Sequence, residues 1–273
     1  MTSRSSARSP RPIALALALA AGSLGAGCAS AEPASNMRRN VPTDFARVVV
    51  MPKVHETAFI DPGAVVIGSV ELGARVFIAP NAFLRGDEGA RIRIGDDANV
   101  QDCAGCHGLE TEVQQGGHWE MLPGRRFTAD GKRLGKEEGV EGYSVWIGDR
   151  VSLAHQSQVH GPAWIGEDTF IGMQALVFNA RVGRGCVIMP KALVMQVEVA
   201  DGRFVPPGAI LWKQAEADAL PPAKGSGFEK LNAAVVHVNT SLAAGYLRAA
   251  HERKGESEAE PAAAPAPAPA PGH

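Results

Sequence analysis

The sequence has no apolar run long enough to cross a membrane. The run Ile13–Ala21 is far shorter than the roughly 20 residues that a membrane-spanning helix needs. An excess of charge of one sign is also missing, because the formal net charge is −2 and no stripe of Lys and Arg carries interleaved aromatic side chains. These absences argue against a membrane-spanning protein and against a nucleic-acid-binding one.

The two ends of the chain differ in composition from the middle. Basic residues, the run Ile13–Ala21 and the small residues Ala29–Ala31 predict a signal peptide over 1–31, and hence export to the periplasm or cell envelope. An alternative is lipidation at Cys28, which lies in an imperfect lipobox and would attach the chain to a membrane. Residues 32–50 are predicted to be a linker. Residues 255–273 are predicted to be a disordered tail, because Ala alternates with Pro over Ala262–Gly272.

The middle of the chain repeats with a period of six residues, not with the period of two that an ordinary β-sandwich would show. An apolar side chain occupies one position of each unit, and a small or branched residue often follows four places later. The apolar positions are Ile60, Val66, Leu72, Ile78, Leu84, Ile94, Val100, Cys106, Ile147, Leu153, Val159, Ile165, Ile171, Val177, Val182, Ile188 and Val194. These hexapeptide repeats predict a mainly β protein, a left-handed parallel β-helix over 51–212, with nearly six coils of three hexads each.

Interruptions of the repeat predict where the chain leaves the coil. An excursion between Cys106 and Ile147 predicts an inserted loop over about 112–146, whose composition is that of an exposed segment that can contain a hairpin. After the repeats, 213–254 is predicted to be helical. Apolar residues at helical spacing from Leu231 onward predict a C-terminal α-helix packed along the outside of the coil.

The register of the repeat places two histidines above one another. With the insertion removed, His107 and His160 are 18 residues apart, which is one coil, so they occupy the same place in adjacent rungs. Rungs about 4.8 Å apart allow two outward imidazoles to share a metal ion. His155 belongs to a different face, so a neighbouring subunit of a cyclic trimer is needed to bring it to the pair. Three neutral imidazoles would leave Zn²⁺ its full charge and an open position for water.

A competing interpretation starts from Cys103-Ala-Gly-Cys106-His107, which fits the attachment motif of haem c. Under this interpretation the same His107 would have to ligate iron. Cys106 occupies an apolar core position of the repeat, which favours two free thiols over haem attachment.

Seven short segments carry a resemblance to a known family. They are Leu84–Gly89, Asn99–Asp102, His107–Glu110, Ser152–Gly161, Gly172–Ala175, Gln214–Asp218 and Ala244–Tyr246. With them the chain resembles the γ-class carbonic anhydrases over about 50–250, and the segment Ser152–Gly161 is highly specific among hexapeptide proteins. The resemblance implies a homotrimer that uses a zinc-bound hydroxide to hydrate carbon dioxide to bicarbonate and a proton, at active sites between subunits.

The resemblance also implies roles for individual residues. His107, His155 and His160 would hold zinc, or Fe²⁺ or Co²⁺ in its place. The other implied residues are Glu88 for proton transfer beside the metal, Glu110 for proton transfer to solvent, Gln101 and Asn99 for a hydrogen-bond network, Asn239 for the carbon dioxide end, and Arg85 with Asp102 for an ion pair at the interface.

Two features depart from the family pattern. The insertion is long and basic where family members have a compact acidic loop, and His237 stands where Tyr is expected. Two other functions also use hexapeptide repeats: a CoA-dependent acyltransferase, usually with one interface histidine as base, and a non-catalytic metal-binding structural relative. Three histidines at metal spacing argue against the first, and the presence of Glu88 and Glu110 argues against the second.

Overall fold

The structure is a computed structural model, which describes residues 36–88, 91–108, 113–115, 118–120, 126–135 and 142–259. The predictions for the signal peptide at 1–31, for Cys28, for Glu110 and for the tail beyond Ala259 fall outside these residues. Within the described ranges, no helix is long and apolar enough to cross a membrane.

The repeats form a left-handed parallel β-helix with three flat faces, which confirms the predicted fold. Face 1 consists of Met37–Arg38 (β1), Val65–Gly68 (β4), Phe83–Gly86 (β7), Gly105–His107 (β10), the first parts of Gln158–Ile165 (β15) and Leu176–Val182 (β17), Leu193–Met195 (β19) and Ile210–Leu211 (β22). Face 2 consists of Lys53–Val54 (β2), Val70–Leu72 (β5), Arg91–Ile94 (β8), Tyr143–Ile147 (β13), the last parts of β15 and β17, and Glu198–Val199 (β20). Face 3 consists of Phe59–Ile60 (β3), Phe77–Ile78 (β6), Asn99–Val100 (β9), Ser152–Leu153 (β14), Phe170–Ile171 (β16), Val187–Ile188 (β18) and Phe204–Val205 (β21).

The core is a column of apolar side chains, one from each strand. On face 1, Leu84, Cys106, Val159 and Val177 lie opposite one another in successive rungs and are buried, as the repeat predicts. The inward side chain of each rung is buried between the rungs above and below. Burial of apolar surface stabilises the fold by roughly 25 cal/mol for each Å². Because equivalent repeat positions of successive rungs lie above one another, the register also determines which outward residues are neighbours.

The coil is longer than the sequence predicted, with about seven turns instead of nearly six. The additional inward positions are Val54 before the predicted repeats and Val199, Val205 and Leu211 after them. Val194 and Val199 are only five residues apart, so the six-residue phase is lost at this point. The predicted range 51–212 contains this last coil, but its hexads were not counted among the repeats because their phase differs.

The insertion leaves the β-helix at the end of face 1 and returns in β13, which begins at Tyr143, before the predicted loop end at 146. Val113–Gln115 (β11) and His118–Glu120 (β12) form an antiparallel hairpin inside it. Residues 126–135, called the insertion anchor below, lie against face 2. Within the anchor, Phe127 is buried and exchanges two backbone hydrogen bonds with Tyr143.

Two helices follow the coil. Gln214–Asp218 (α1) is a single short helix, and Leu231–Ala259 (α2) runs along face 3, where it packs on β3, β6, β9 and β14. The ring of Tyr246 stacks on Phe59 with centroids 4.9 Å apart. Helix α2 extends five residues past the predicted end at 254, into the segment for which the sequence predicted a disordered tail.

Candidate metal centre

Two of the predicted metal ligands stack on face 1. Strand β10 pairs with β15 so that His107 lies opposite His160, with Arg85 on one side of the pair and Phe178 on the other. The atoms His107 Nδ1 and His160 Nε2 are 3.2 Å apart. Two ligand nitrogens of a tetrahedral zinc ion are separated by about 3.3–3.4 Å, given zinc–nitrogen bonds of about 2.0–2.1 Å. The spacing of the pair therefore fits a shared divalent cation.

The hydrogen bonds of the pair leave nitrogen atoms available to a cation. His160 Nδ1 is 2.9 Å from the carbonyl oxygen of Gly161, which can only accept, so Nδ1 carries the proton and Nε2 keeps its lone pair. His107 Nε2 is buried and has no hydrogen-bond partner among the described residues. A carboxylate oxygen of Glu88 lies 3.1 Å from this atom, at ion-pair distance but without the alignment of a hydrogen bond. A cation between His107 Nδ1 and His160 Nε2 would leave the proton of His107 on Nε2, where it faces the Glu88 carboxylate.

Two further carboxylate contacts complete this part of the site. Asp87 Oδ2 accepts from Arg85 Nε and Nη2, each at 3.1 Å. Asp87 Oδ1 lies 3.9 Å from His107 Nε2 and is buried without a hydrogen-bond partner in the described part of the chain. The sequence pattern does not indicate a role for Asp87. The ion pair of Arg85 with Asp102 between subunits stays a prediction. Arg85, Asp87, Glu88, His107 and His160 are called the face 1 half-site below.

The third predicted ligand lies on another face of the prism. His155 Nδ1 donates to Asp102 Oδ2 at 2.9 Å, and 51% of the His155 side chain is exposed. The carboxylate holds the ring in the tautomer that leaves Nε2 free to bind a metal. His155, Asp102, Gln101 and Asn239 line one cleft of about 680 Å³ between face 3 and α2. These four residues are called the cleft half-site below.

Buried amide groups support the cleft half-site. Gln101 Nε2 donates to Asn99 Oδ1 at 3.0 Å, and Asn99 Nδ2 donates to Ser152 Oγ at 2.9 Å. The family resemblance implies this role for Gln101 and Asn99 but not for Ser152. Asn239 is also buried, and its Nδ2 donates to Val235 O at 2.8 Å within α2. His237 is exposed and does not line the cleft.

The two half-sites do not meet within one chain. Among the described residues, no group of three or more His, Cys, Asp and Glu side chains is close enough together to hold a metal ion. The separation follows from the fold, because His155 lies in the turn after β14 of face 3, while His107 and His160 lie in β10 and β15 on face 1. The three predicted ligands therefore lie in two separate groups within one chain.

The burial of Cys106 shows that the haem c interpretation of Cys103–His107 is wrong. The thiol of Cys106 lies in the core of the coil with no exposed surface, and burial raises its pKa. Cys103 is exposed at a corner, and both cysteines are free. A thiol enclosed by stacked rungs cannot reach the edge of a haem, so Cys106 is a core side chain.

Replacing Asp102 with Asn is expected to weaken zinc binding about 10- to 100-fold, the usual cost of losing the group behind a metal-ligating histidine. The amide can offer an N–H to His155 Nδ1, which favours the tautomer with its proton on Nε2. Competition against a chromophoric zinc chelator measures the affinity. Asp168→Asn is the matched control, since Asp168 is an exposed carboxylate paired with Arg150; equal affinities for both variants would contradict the prediction.

Comparison with known proteins connects this geometry to a family. The carbonic anhydrase of Methanosarcina thermophila is 43% identical over 247 residues, which cover 86% of this chain and 94% of the relative. The carboxysome assembly protein CcmM of Nostoc sp. is 40% identical over 212 residues, which cover 78% of this chain but 34% of that protein. The family model described as bacterial transferase hexapeptide (six repeats) matches residues 51–86.

A solved structure supports the fold alone. The hexapeptide transferase family protein from Anaplasma phagocytophilum superposes with a TM-score of 0.51 at 22% identity, covering 72% of this chain and 93% of that one. The similarity to the Methanosarcina protein is much higher and extends over nearly the whole relative. The chain therefore belongs to the γ-class carbonic anhydrase family.

Proposed function

We propose that this protein is a zinc-dependent carbonic anhydrase, which hydrates carbon dioxide to bicarbonate and a proton at sites between the subunits of a homotrimer. The observation that carries the proposal is the histidine pair on face 1, with His107 Nδ1 and His160 Nε2 3.2 Å apart and Glu88 3.1 Å from the same imidazole. Family membership supports the reaction, because the relative from Methanosarcina thermophila is named a carbonic anhydrase.

The trimer is proposed because the two half-sites complement each other. A heterologous contact that puts face 1 of one copy against the cleft of the next would add His155 to His107 and His160. Three such contacts close a ring and give three equivalent metal centres. The exposed apolar side chains Met173, Val238, Leu242 and Tyr246 line or border the cleft, and an apolar patch of this kind is typical of a surface that another chain covers.

The donor set of three imidazole nitrogens fits Zn²⁺, and it also fits Fe²⁺ and Co²⁺, the two alternatives. When bound, a divalent cation on three neutral imidazoles acts as a Lewis acid that lowers the pKa of a coordinated water, a property for which carbonic anhydrase is the standard example.

The remaining residues of the chain position groups and move protons. Glu88 is proposed to accept the proton released in hydration, because its carboxylate lies beside His107 and is partly exposed. Glu110, outside the described residues, is proposed to pass that proton to solvent. Gln101 is held in place by Asn99, so its amide is proposed to orient the reacting molecules in the cleft, with Asn239 at the carbon dioxide end.

We also propose that the protein is exported. The composition of 1–31 supports cleavage of a signal peptide and a location in the periplasm or cell envelope. Lipidation at Cys28 is the alternative, and mass spectrometry of the mature N-terminus distinguishes the two.

Removal and return of zinc tests the proposed function. Chelator-treated protein is expected to lose at least about 1,000-fold in the rate of carbon dioxide hydration followed by stopped flow, and added Zn²⁺ should restore it. The iron form is prepared and assayed without oxygen for comparison. Stoichiometric zinc without hydration above the buffer rate would contradict the proposal, and acetyl transfer from acetyl-CoA would favour the acyltransferase alternative.

A further inference from the structure

The insertion anchor, residues 126–135, is fixed to face 2 around a buried tryptophan. Trp164 is 1% exposed and donates from Nε1 to Ala129 O at 3.1 Å. The Arg181 guanidinium lies 4.7 Å from the centre of the Trp164 ring, and its Nε donates to Gly131 O at 3.2 Å. Gly131 has a φ of +84°, and a Cβ there would lie 2.8 Å from the indole. The close approach and the polar contacts together give the anchor one defined position on the coil.

One side chain of the anchor reaches the corner between faces 1 and 2. Arg133 Nη1 donates to Asn179 Oδ1 at 3.1 Å, and Arg133 Nη2 donates to Asn179 O at 3.2 Å. The ring of Phe127 lies 4.6 Å from the guanidinium of Arg133. Asn179 has a φ of 47°, a left-handed conformation, at the corner where the repeat between Val177 and Val182 is one residue short. The anchor therefore holds a tight corner of the β-helix from outside.

This corner is directly connected to the face 1 half-site. Phe178 precedes Asn179 in the chain and lies opposite His160 in the adjacent rung. The rings of Phe178 and His160 have centroids 5.1 Å apart, and the His160 ring meets His107 edge-on with centroids 4.9 Å apart. A movement of Phe178 therefore changes the space available to the His160 imidazole.

We propose that Arg133 is a positioning residue for the metal centre. By holding the side chain and carbonyl of Asn179, Arg133 keeps Phe178 over His160 and so limits the orientations of that ligand. The inference rests on the proposed function, because it requires His160 to bind the metal. It gives the long basic insertion a part in the geometry of the site, without any contact between Arg133 and the reacting molecules.

Titration of the metal-free full-length chain with Co²⁺ tests this role, because the visible absorption of bound Co²⁺ reports the number and geometry of its ligands. Arg133→Ala is expected to alter the band pattern and to weaken Co²⁺ binding about 10-fold, the lower end of the effects seen for groups behind a ligand. Arg133→Lys is expected to recover part of the loss, since one ammonium cannot replace both donors of a planar guanidinium.

Two controls separate this role from general loosening of the anchor. Glu198→Gln removes the carboxylate 3.6 Å from Arg133 and leaves both bonds to Asn179. Thr128→Ala removes a side-chain contact within the exposed turn of the anchor and also leaves both bonds to Asn179. Both are expected to retain the wild-type spectrum and affinity. A wild-type spectrum and affinity for folded Arg133→Ala, or an equal loss in Glu198→Gln, would overturn the inference and leave the proposed function intact.

Failure of the proposed function gives a different result, namely a wild-type chain that binds no Co²⁺ at all. If Arg133→Ala does not fold, Asn179→Gly replaces it in the test, because glycine keeps the left-handed backbone and the carbonyl acceptor but lacks the side chain that carries Oδ1. A weakened, spectrally altered Co²⁺ complex of Asn179→Gly supports the inference, and an unchanged complex overturns it.

Discussion

A mixture of two variants that each lose the metal, His155→Ala and His160→Ala, is expected to regain zinc at about a quarter of the subunit interfaces. In the proposed trimer, each interface needs an intact pair on face 1 of one copy and an intact His155 on the next. In randomly mixed trimers each condition is met half of the time. Co-refolding at equal amounts, isolation of the trimer and zinc analysis measure the recovery, and carbon dioxide hydration is expected to return in the same proportion.

The matched control mixes His107→Ala with His160→Ala. Both substitutions damage the face 1 half-site, so every interface lacks one of the two stacked ligands and no zinc is expected to return. The two mixtures contain the same number of alanines and differ only in which half-site carries them. Recovery in both mixtures, or in neither, would contradict a centre shared between chains.

Three contacts around the candidate site have the same sequence separation. Asn99 with Ser152, Asp102 with His155, and His107 with His160 are each 53 residues apart. This separation is one coil plus the insertion. The register that predicted the histidine pair therefore also predicts the other two contacts. Applying the spacing to all polar residues would have placed Asp102 next to His155 and added Ser152 to the network.

Other features could not be predicted from the repeat because they depend on residues outside its phase. The contact between Arg133 and Asn179 joins a non-repeating insertion to a corner, and no periodicity relates the two. Asp87 follows strand β7, and the register does not determine whether its carboxylate turns toward Arg85 and His107. Backbone hydrogen bonds between rungs thus make the strands predictable, while corners and insertions depend on individual side chains.

Close stacking of the coils leads to the largest expected loss of stability. Gly148 N donates to Ile165 O at 2.8 Å, and a Cβ on Gly148 would lie 2.6 Å from the backbone nitrogen of Glu167 and 3.0 Å from its Cα. Because these are backbone atoms of the next coil, no side chain can move to make room. Gly148→Ala is expected to lower the free energy of unfolding by about 3 kcal/mol, measured by urea denaturation at one protein concentration.

Gly185→Ala separates lack of space from loss of glycine flexibility. Gly185 has a φ of +60° and no atom within 4 Å of the added Cβ, so only the conformational cost of about 1 kcal/mol is expected. Corners of this coil accept left-handed residues with side chains, as Arg150 at φ 54° and Asp168 at φ 61° show. Equal losses for the two variants would contradict the packing explanation. A larger loss at Gly148 supports the packing explanation. The same close stacking of rungs places His107 Nδ1 3.2 Å from His160 Nε2.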